Sequence, residues 1–466
     1  MINSDVTICA VATGTGGAIS IIRVSGNDCL EIVSKIFFPY DKNRSILNSK
    51  GFSVVFGEIR NNDKLIDEVL LSVFRAPNSY TGENAIEISC HASPYIVSKI
   101  LEALIAKGAS HAIPGEFTQR AFLNGKIDLS QAEAIADVIV STSEISHKVA
   151  INQMKGGFST EILKLRSELL NFISLIELEL DFSEEDVEFA DRNELMNTVI
   201  RVKKMADNLS ESFSLGNALR NGVPVVIVGK PNSGKSTLLN ALLMEEKAIV
   251  SEIPGTTRDV IEDTIVINGI EFRFIDTAGL RETTDIIESL GIKKTLEKVS
   301  QASIVALVDE IGEKAETINE RISYINGIIE NTGAKLMVLI NKCDIATAKT
   351  IDQLHNEIKI AHNDEIMFIS AKQKTGLNEL KNKFAKIIND KHSPDGVIIT
   401  NIRHYEALKK VSSSLKRVIQ GLGQNTPTDL IAIDIRQAVH YLGEITGTIT
   451  TEDILGNIFA NFCIGK

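Results

Sequence analysis

Hydrophobic positions along this chain follow three rhythms. Up to about residue 120, short alternating runs dominate. Ala18–Val24, Ser53–Ile59, Glu68–Phe74 and Asn84–Cys90 read as half-buried strands. The turn residues Asn61–Asp63 predict a hairpin between the middle two. Helices are expected near Asn27–Phe37 and Pro94–Lys107, so this part reads as a compact α+β domain. From about residue 128 the spacing lengthens. Ile162, Leu165, Leu169, Phe172, Ile176 and Leu180 recur every three or four residues, and Ile431, Ile435, Val439, Leu442 and Ile445 repeat the pattern. Both stripes predict amphipathic helices. Ser130–Glu133 reads as a capping box opening an earlier helix. Further helices are expected over Arg192–Leu215 and, behind Thr450 or Thr451, over Glu452–Phe462. The third rhythm lies between the helical stretches. Val223–Val228, Glu271–Ile275, Lys335–Ile340 and Ile366–Ile369 are apolar runs that end in polar loops, the pattern of buried strands. Asn268-Gly269 sits between alternating residues and predicts a hairpin, so the sheet of this region should be mixed.

The polar loops at the ends of those apolar runs are chemically specific. After the first run comes Gly229–Ser236, GKPNSGKS, and then the apolar stretch Thr237–Leu243. A G-x-x-x-x-G-K-[ST] sequence between strand and helix is a phosphate-binding loop. Gly229 and Gly234 leave room for backbone N–H groups of Asn232, Ser233 and their neighbours to face an anion, and the helix dipole helps. Lys235 can reach the terminal phosphates, and the Ser236 hydroxyl can ligate Mg²⁺. The second run leads to Asp276, Thr277, Ala278 and Gly279, where a carboxylate can hold Mg²⁺ through water and the Gly279 N–H can meet a γ-phosphate. Asn341, Lys342 and Asp344 come after the third run; the carboxylate of Asp344 can accept from both donors on the edge of guanine, a pair that adenine lacks. Ser370, Ala371 and Lys372 come after the fourth, with the Ala371 N–H available to the guanine carbonyl. Four such motifs in order read as a GTPase domain with its ligand at the carboxyl edge of the sheet.

The expected organisation is therefore multidomain: an N-terminal α+β domain (1–122), an all-α helical domain in two parts (123–216 and 385–466), and an inserted α/β P-loop GTPase domain with a mixed sheet (217–384). Arg220–Gly222 is the expected linker into the insertion. Neither helical part looks large enough to bury a core alone, so the two should pack together.

Composition narrows the function classes. The chain has 466 residues, 44% of them hydrophobic and 24% charged, as in a globular multidomain protein. It has no run of eighteen apolar residues and no basic start, so neither a membrane span nor a secretion signal is expected. Its five cysteines, without paired spacing, argue against a disulfide framework and fit a reducing cytoplasm. The net charge of −12 argues against broad gripping of nucleic acid, and any RNA contact must come from a local patch or a partner. The acidic run Glu177–Glu188 reads as a solvated face.

The hydrolytic machinery is unusual. Leu280 comes after Gly279, where Ras-type enzymes carry a water-orienting glutamine. Glu282, Asp285 and Glu288 are nearby candidates for that task; no arginine finger is obvious, although Arg258, Arg273 and Arg281 lie close, and a monovalent cation on Asn232 is another source of positive charge. Gly255–Asp259 (GTTRD) reads as a switch loop, with a threonine to cover Mg²⁺.

With these residues in place, the chain resembles the MnmE (TrmE) family of tRNA-modification GTPases. The stretches that carry the resemblance are Pro77–Glu83, Pro114–Asn124, Asp128–Asp137, Gly255–Asp259, Asp276–Arg281 and Cys463–Lys466. They run from end to end. The resemblance implies a homodimer that, with an FAD-dependent MnmG (GidA)-type partner, installs an aminomethyl or carboxymethylaminomethyl group at C5 of the wobble uridine of certain tRNAs. It implies a reduced folate such as 5-formyltetrahydrofolate, held by Arg23, Glu87, Lys126 and Lys466. It also implies K⁺ on Asn232, Ser251, Ile253 and Thr256, Mg²⁺ on Ser236 and Thr257, and Glu288 as the water-orienting carboxylate. Ala92 and Ser93 depart from the family's Gly-Gly after His91. The competing reading is an Era- or Der-like GTPase switch that assists ribosome assembly; it predicts an appended basic module, whereas the tail here is mainly apolar.

Overall fold

The computed structural model describes residues 6–14, 16–181, 192–246, 263–275, 298–330, 332–361, 364–390, 397–424, 426–460, 462 and 464–465. They form two compact units. One comprises residues 1–139, 151–203 and 410–466, the other residues 140–150 and 204–409. Among the described residues, no helix is long and apolar enough to cross a membrane.

The first unit begins with a seven-stranded sheet. Its strands are β1 (Ile8–Val11), β2 (Ile19–Ser25), β3 (Phe37–Pro39), β4 (Ser53–Asn61), β5 (Lys64–Phe74), β6 (Ala85–His91) and β7 (Ser110–His111), in the order β3-β4-β5-β6-β2-β1-β7. Every neighbouring pair is antiparallel except β1 with β7. Asn62 and Asp63, with φ of 47° and 60°, make the tight turn of the predicted hairpin. One face of the sheet is sealed by helices Cys29–Ser34 and Pro94–Ala106, whose Leu30, Val33, Ile100 and Leu104 share a core with Ile22, Leu71, Ile86 and Ile88. The expected helix over Asn27–Phe37 is shorter than its apolar content suggests. Phe37 turns into the core while its backbone pairs with Ile59, and edge strand β3 forms where the helix was expected to end.

Helical segments complete this unit. The stripe on Gly157–Asp181 is buried at Ile162, Leu165, Leu169, Phe172 and Ile176, and that helix packs on Thr428–Thr446 through the second predicted stripe. Arg436 anchors the pair at its edge, donating to Glu177 at 2.7 Å. The capping box lies two residues upstream of its expected place. The Asp128 carboxylate accepts from the Gln131 N–H at 2.9 Å, and the Gln131 side chain accepts from the Asp128 N–H at 2.9 Å. Ser130 instead lies buried inside the helix, hydrogen-bonded to Asp128 and Ser159. At the C-terminal helix Glu452–Phe459, Thr451 is the cap, accepting from the Ile454 N–H.

The second unit holds a six-stranded sheet: β8 (Val223–Val228), β9 (Asp263–Ile267), β10 (Ile270–Phe274), β11 (Ile304–Glu310), β12 (Lys335–Asn341) and β13 (Glu365–Phe368), in the order β13-β12-β11-β8-β10-β9. Only β9 with β10 is antiparallel, so the sheet is mixed as expected. Asn268 and Gly269, at φ of 51° and 77°, turn that hairpin. The apolar runs are unbroken because both faces are covered. Val223, Val225, Ile304, Ala306, Met337 and Leu339 enter one core, while Val226, Val305, Leu307, Leu336 and Val338 enter the other. Strand β11 is absent from the elements expected from sequence, although it lies at the centre of the sheet. The expected linker Arg220–Gly222 is also shorter than predicted: helix Arg192–Asn221 absorbs Arg220, and Gly222 alone, at φ +82°, joins it to β8.

Candidate functional site

Strand β8 has β10 on one side and β11 on the other, so the chain leaves the sheet in opposite directions on either side of it. This is the switch point at which open parallel sheets leave a crevice at their carboxyl edge. The Gly229–Ser236 loop occupies that edge and leads into helix Lys235–Glu246. Backbone geometry explains its glycines. Gly229 has φ +146°, and a Cβ there would lie 2.1 Å from the Val308 carbonyl; at Gly234, φ is +96° and a Cβ would lie 2.1 Å from Asn341 Nδ2. Asn232 takes a left-handed φ of 63°, which an asparagine tolerates well. The Lys235 ammonium donates to the carbonyls of Gly229 and Lys230 at 2.9 and 2.7 Å, which fixes it over the loop. Burial lowers its pKa, opposed by the nearby charge of Asp309. Ser233 is fully buried and its hydroxyl has no partner among the described residues. Ser236 and Thr237 lie in the first turn of the helix, whose N–H groups lack intrahelical acceptors.

Asn341 ties the rest of the site to this loop. It is the last residue of β12 and is buried. Its side-chain amide donates to the Ser233 carbonyl at 2.9 Å and accepts from the Ala371 N–H at 2.9 Å. One side chain therefore joins three motifs that the sequence separates widely. Ser370 donates to Asp344 at 2.6 Å and accepts from the Gln373 N–H, orienting the carboxylate expected to read guanine. Lys342 stands in a left-handed conformation at φ 67° and pairs with Glu310. Lys372 is exposed beside this group.

Sequence reasoning does not single out the acidic end of β11. Glu310 pairs with Lys230 as well as Lys342, and Glu313 also pairs with Lys230. Asp309 is fully buried against Arg321; burial raises its pKa, with Arg321 opposing. The available signal is an acidic pair ending an apolar run, the same cue that marks the other motifs.

Strand register moves one of the nearby arginines away from the loop. Arg273 pairs with Pro224 at the start of β8, at the edge opposite the loop. Gly229 lies five positions further on, about 16 Å along a strand, so Arg273 does not stand beside the site. Ser251, Ile253, Thr256, Thr257, Arg258, Asp276, Thr277, Ala278, Gly279, Arg281, Glu282, Asp285, Glu288, Cys463 and Lys466 lie outside the described residues.

Comparison with known proteins places this geometry in a family. The MnmE helical domain profile matches residues 129–463, and that of the GTP-binding protein TrmE N-terminus matches residues 7–126. A tRNA modification GTPase MnmE of Flavobacterium johnsoniae is 52% identical over 470 residues, spanning 100% of both chains. Proteins with the same designation in Flavobacterium psychrophilum and Cytophaga hutchinsonii are 51% and 50% identical over 464 and 466 residues, covering 99% and 100% of this chain and 99% and 98% of theirs. The chain belongs to the MnmE family.

Two of the other stretches that carry the MnmE resemblance meet in the first unit. Pro77–Glu83 and Pro114–Asn124 are knitted by Tyr80 to Thr118 at 2.8 Å and by Asn124 to the Thr81 carbonyl at 2.8 Å. Beneath them Arg120 is almost fully buried, paired with Glu116 at 2.9 Å and Glu83 at 3.3 Å. Arg23 and Glu87 face each other across β2 and β6 and are paired at 2.7 Å. Arg23 also donates to the Gly465 carbonyl at 3.2 Å and lies over the rings of Tyr80 and Phe117. Gly465 thereby reaches the first sheet. At Gly465, φ is +91° and a Cβ would lie 2.1 Å from the Val11 carbonyl. Lys126 is fixed separately, donating to the Pro77 carbonyl at 3.0 Å.

Proposed function

We propose that this chain binds GTP in the Gly229–Ser236 loop and hydrolyses it in the service of tRNA modification. The observation that carries the reading is the double hydrogen bond of Asn341, which unites the loop with the Ala371 N–H and stands beside the oriented Asp344. A phosphate cradle and a guanine-reading carboxylate are thus parts of one rigid edge. In this reading Lys235 neutralises the phosphates, Ser236 and Thr257 hold Mg²⁺, and Asn232 with Ser251, Ile253 and Thr256 holds K⁺. When bound, these ions supply positive charge to the triphosphate. Glu288 orients the attacking water.

The test is base selectivity. Wild type should bind GTP at least a hundredfold more tightly than ATP. Asp344→Asn should lose that preference and favour xanthosine triphosphate, because an amide donates where the carboxylate accepted. Equal affinity for GTP and ATP in the wild type rules the reading out.

The finer reading adds a reduced folate near Arg23, Glu87, Lys126 and Lys466, an MnmG-type flavoprotein partner, a homodimer, and a one-carbon transfer to C5 of the wobble uridine in the cytoplasm. It is supported by the family and by the pairing of Arg23 with Glu87 beside Gly465. Division into an N-terminal domain, a two-part helical domain and an inserted GTPase domain belongs to the same proposal. Mass spectrometry of tRNA nucleosides from cells lacking the protein tests it. Loss of the modified wobble uridine is expected; a normal nucleoside profile would favour a ribosome-assembly role.

A further inference from the structure

Two loops that hold opposite ends of the proposed ligand share one acidic side chain. Lys230 is the second residue of the phosphate loop. Lys342 lies in the base-reading loop, between Asn341 and Asp344. Glu310 closes β11, in register with Asn341 on β12, and the same strand pairs with β8 through Leu307 and Val228. Its two carboxylate oxygens are divided: Oε1 takes Lys230 at 2.7 Å and Oε2 takes Lys342. Glu313 provides Lys230 with a second acceptor.

We propose that Glu310 is a positioning residue that couples phosphate recognition to base recognition by tying Lys230 and Lys342 to one carboxylate. An isolated surface pair does little. Here one carboxylate is shared by two ammoniums that would repel each other without it, so the two loops are held to the same point. The Lys230 and Lys342 contacts push the Glu310 carboxyl down to about 2, so it stays ionised throughout the working range. Glu310 touches neither base nor phosphate in this account; it fixes the frame in which Asp344 and Lys235 meet one nucleotide. The inference rests on the guanine-nucleotide reading of the site and deepens it.

Direct binding measurements with GDP and IDP test it, because IDP lacks the exocyclic amine and reports on Asp344. Glu310→Gln should weaken GDP roughly tenfold, the scale of a lost charge-assisted hydrogen bond. It should also lower the GDP-over-IDP ratio several-fold. Lys230→Met alters only the phosphate loop. In the wild-type background it should lower the GDP-over-IDP ratio; added to Glu310→Gln it should change that ratio no further, as a coupled pair requires. A merely structural role for Glu310 would lower the melting temperature but leave the effect of Lys230→Met on that ratio unaltered. Glu310→Asp keeps the charge one methylene short of both lysines. It should lose the coupling as well, and provides the test if the glutamine variant does not fold. Unchanged GDP affinity in the Glu310 variants, or an equal Lys230→Met effect in both backgrounds, overturns the bridge. A wild-type chain that binds no GDP overturns the nucleotide reading and this inference with it.

Discussion

At the scale of single residues, Gly234 is among the most constrained positions described. Its φ of +96° is costly for any side chain, and a Cβ would lie 2.1 Å from the amide of Asn341. Gly234→Ala should therefore push Asn341 off the Ser233 carbonyl and leave a buried amide unsatisfied. We expect GTP affinity to fall at least tenfold, and the second unit to lose about 1–3 kcal/mol of stability. Isothermal titration and hydrogen exchange at Ala371 check the two effects separately. The motif makes Gly234 legible as a phosphate-loop glycine. It does not reveal Asn341 as the neighbour that forbids a side chain, because residues far apart in the chain supply the contact. Asp309 and Glu310 escape sequence reasoning for a related reason: a carboxylate at a strand end is ordinary until its partners are known.

At the scale of elements, periodicity names the helices well and their ends less well. The stripe from Ile162 to Ile176 is buried as its spacing demands. The cap at Asp128 lies two residues before the one expected, since Ser130–Glu133 offers the same sequence signature. Asp128→Ala should cost about 1 kcal/mol, the usual worth of an N-cap. Faster hydrogen exchange confined to the first turn of Leu129–Val140 would register it; an unchanged first turn would count against the cap. Strand β11 (IVALVDE) is an apolar run like β8 and β12, and such a short run is not told from a buried helix segment by periodicity alone. Its neighbours β8 and β12 on either side decide its state.

At the scale of the whole molecule, charge sets an expectation about RNA. A chain at −12 faces the phosphate backbone with net repulsion, so affinity must come from a restricted surface or from a partner. The chain alone should bind tRNA weakly and with a shallow salt dependence. Adding the proposed flavoprotein should strengthen binding by orders of magnitude. Gel-shift titrations at two salt concentrations check this, and tight, steeply salt-dependent binding by the isolated chain would contradict it. The sequence by itself determined the nucleotide motifs, the mixed sheet and the amphipathic stripes, because each is written in local spacing or in residues whose chemistry has few alternatives. Tertiary structure alone decided which charges share a partner, which glycine is trapped by which amide, and that Arg23 meets the carbonyl of Gly465. Those facts depend on strand order and register, which bring distant segments within hydrogen-bond reach and which no local pattern encodes.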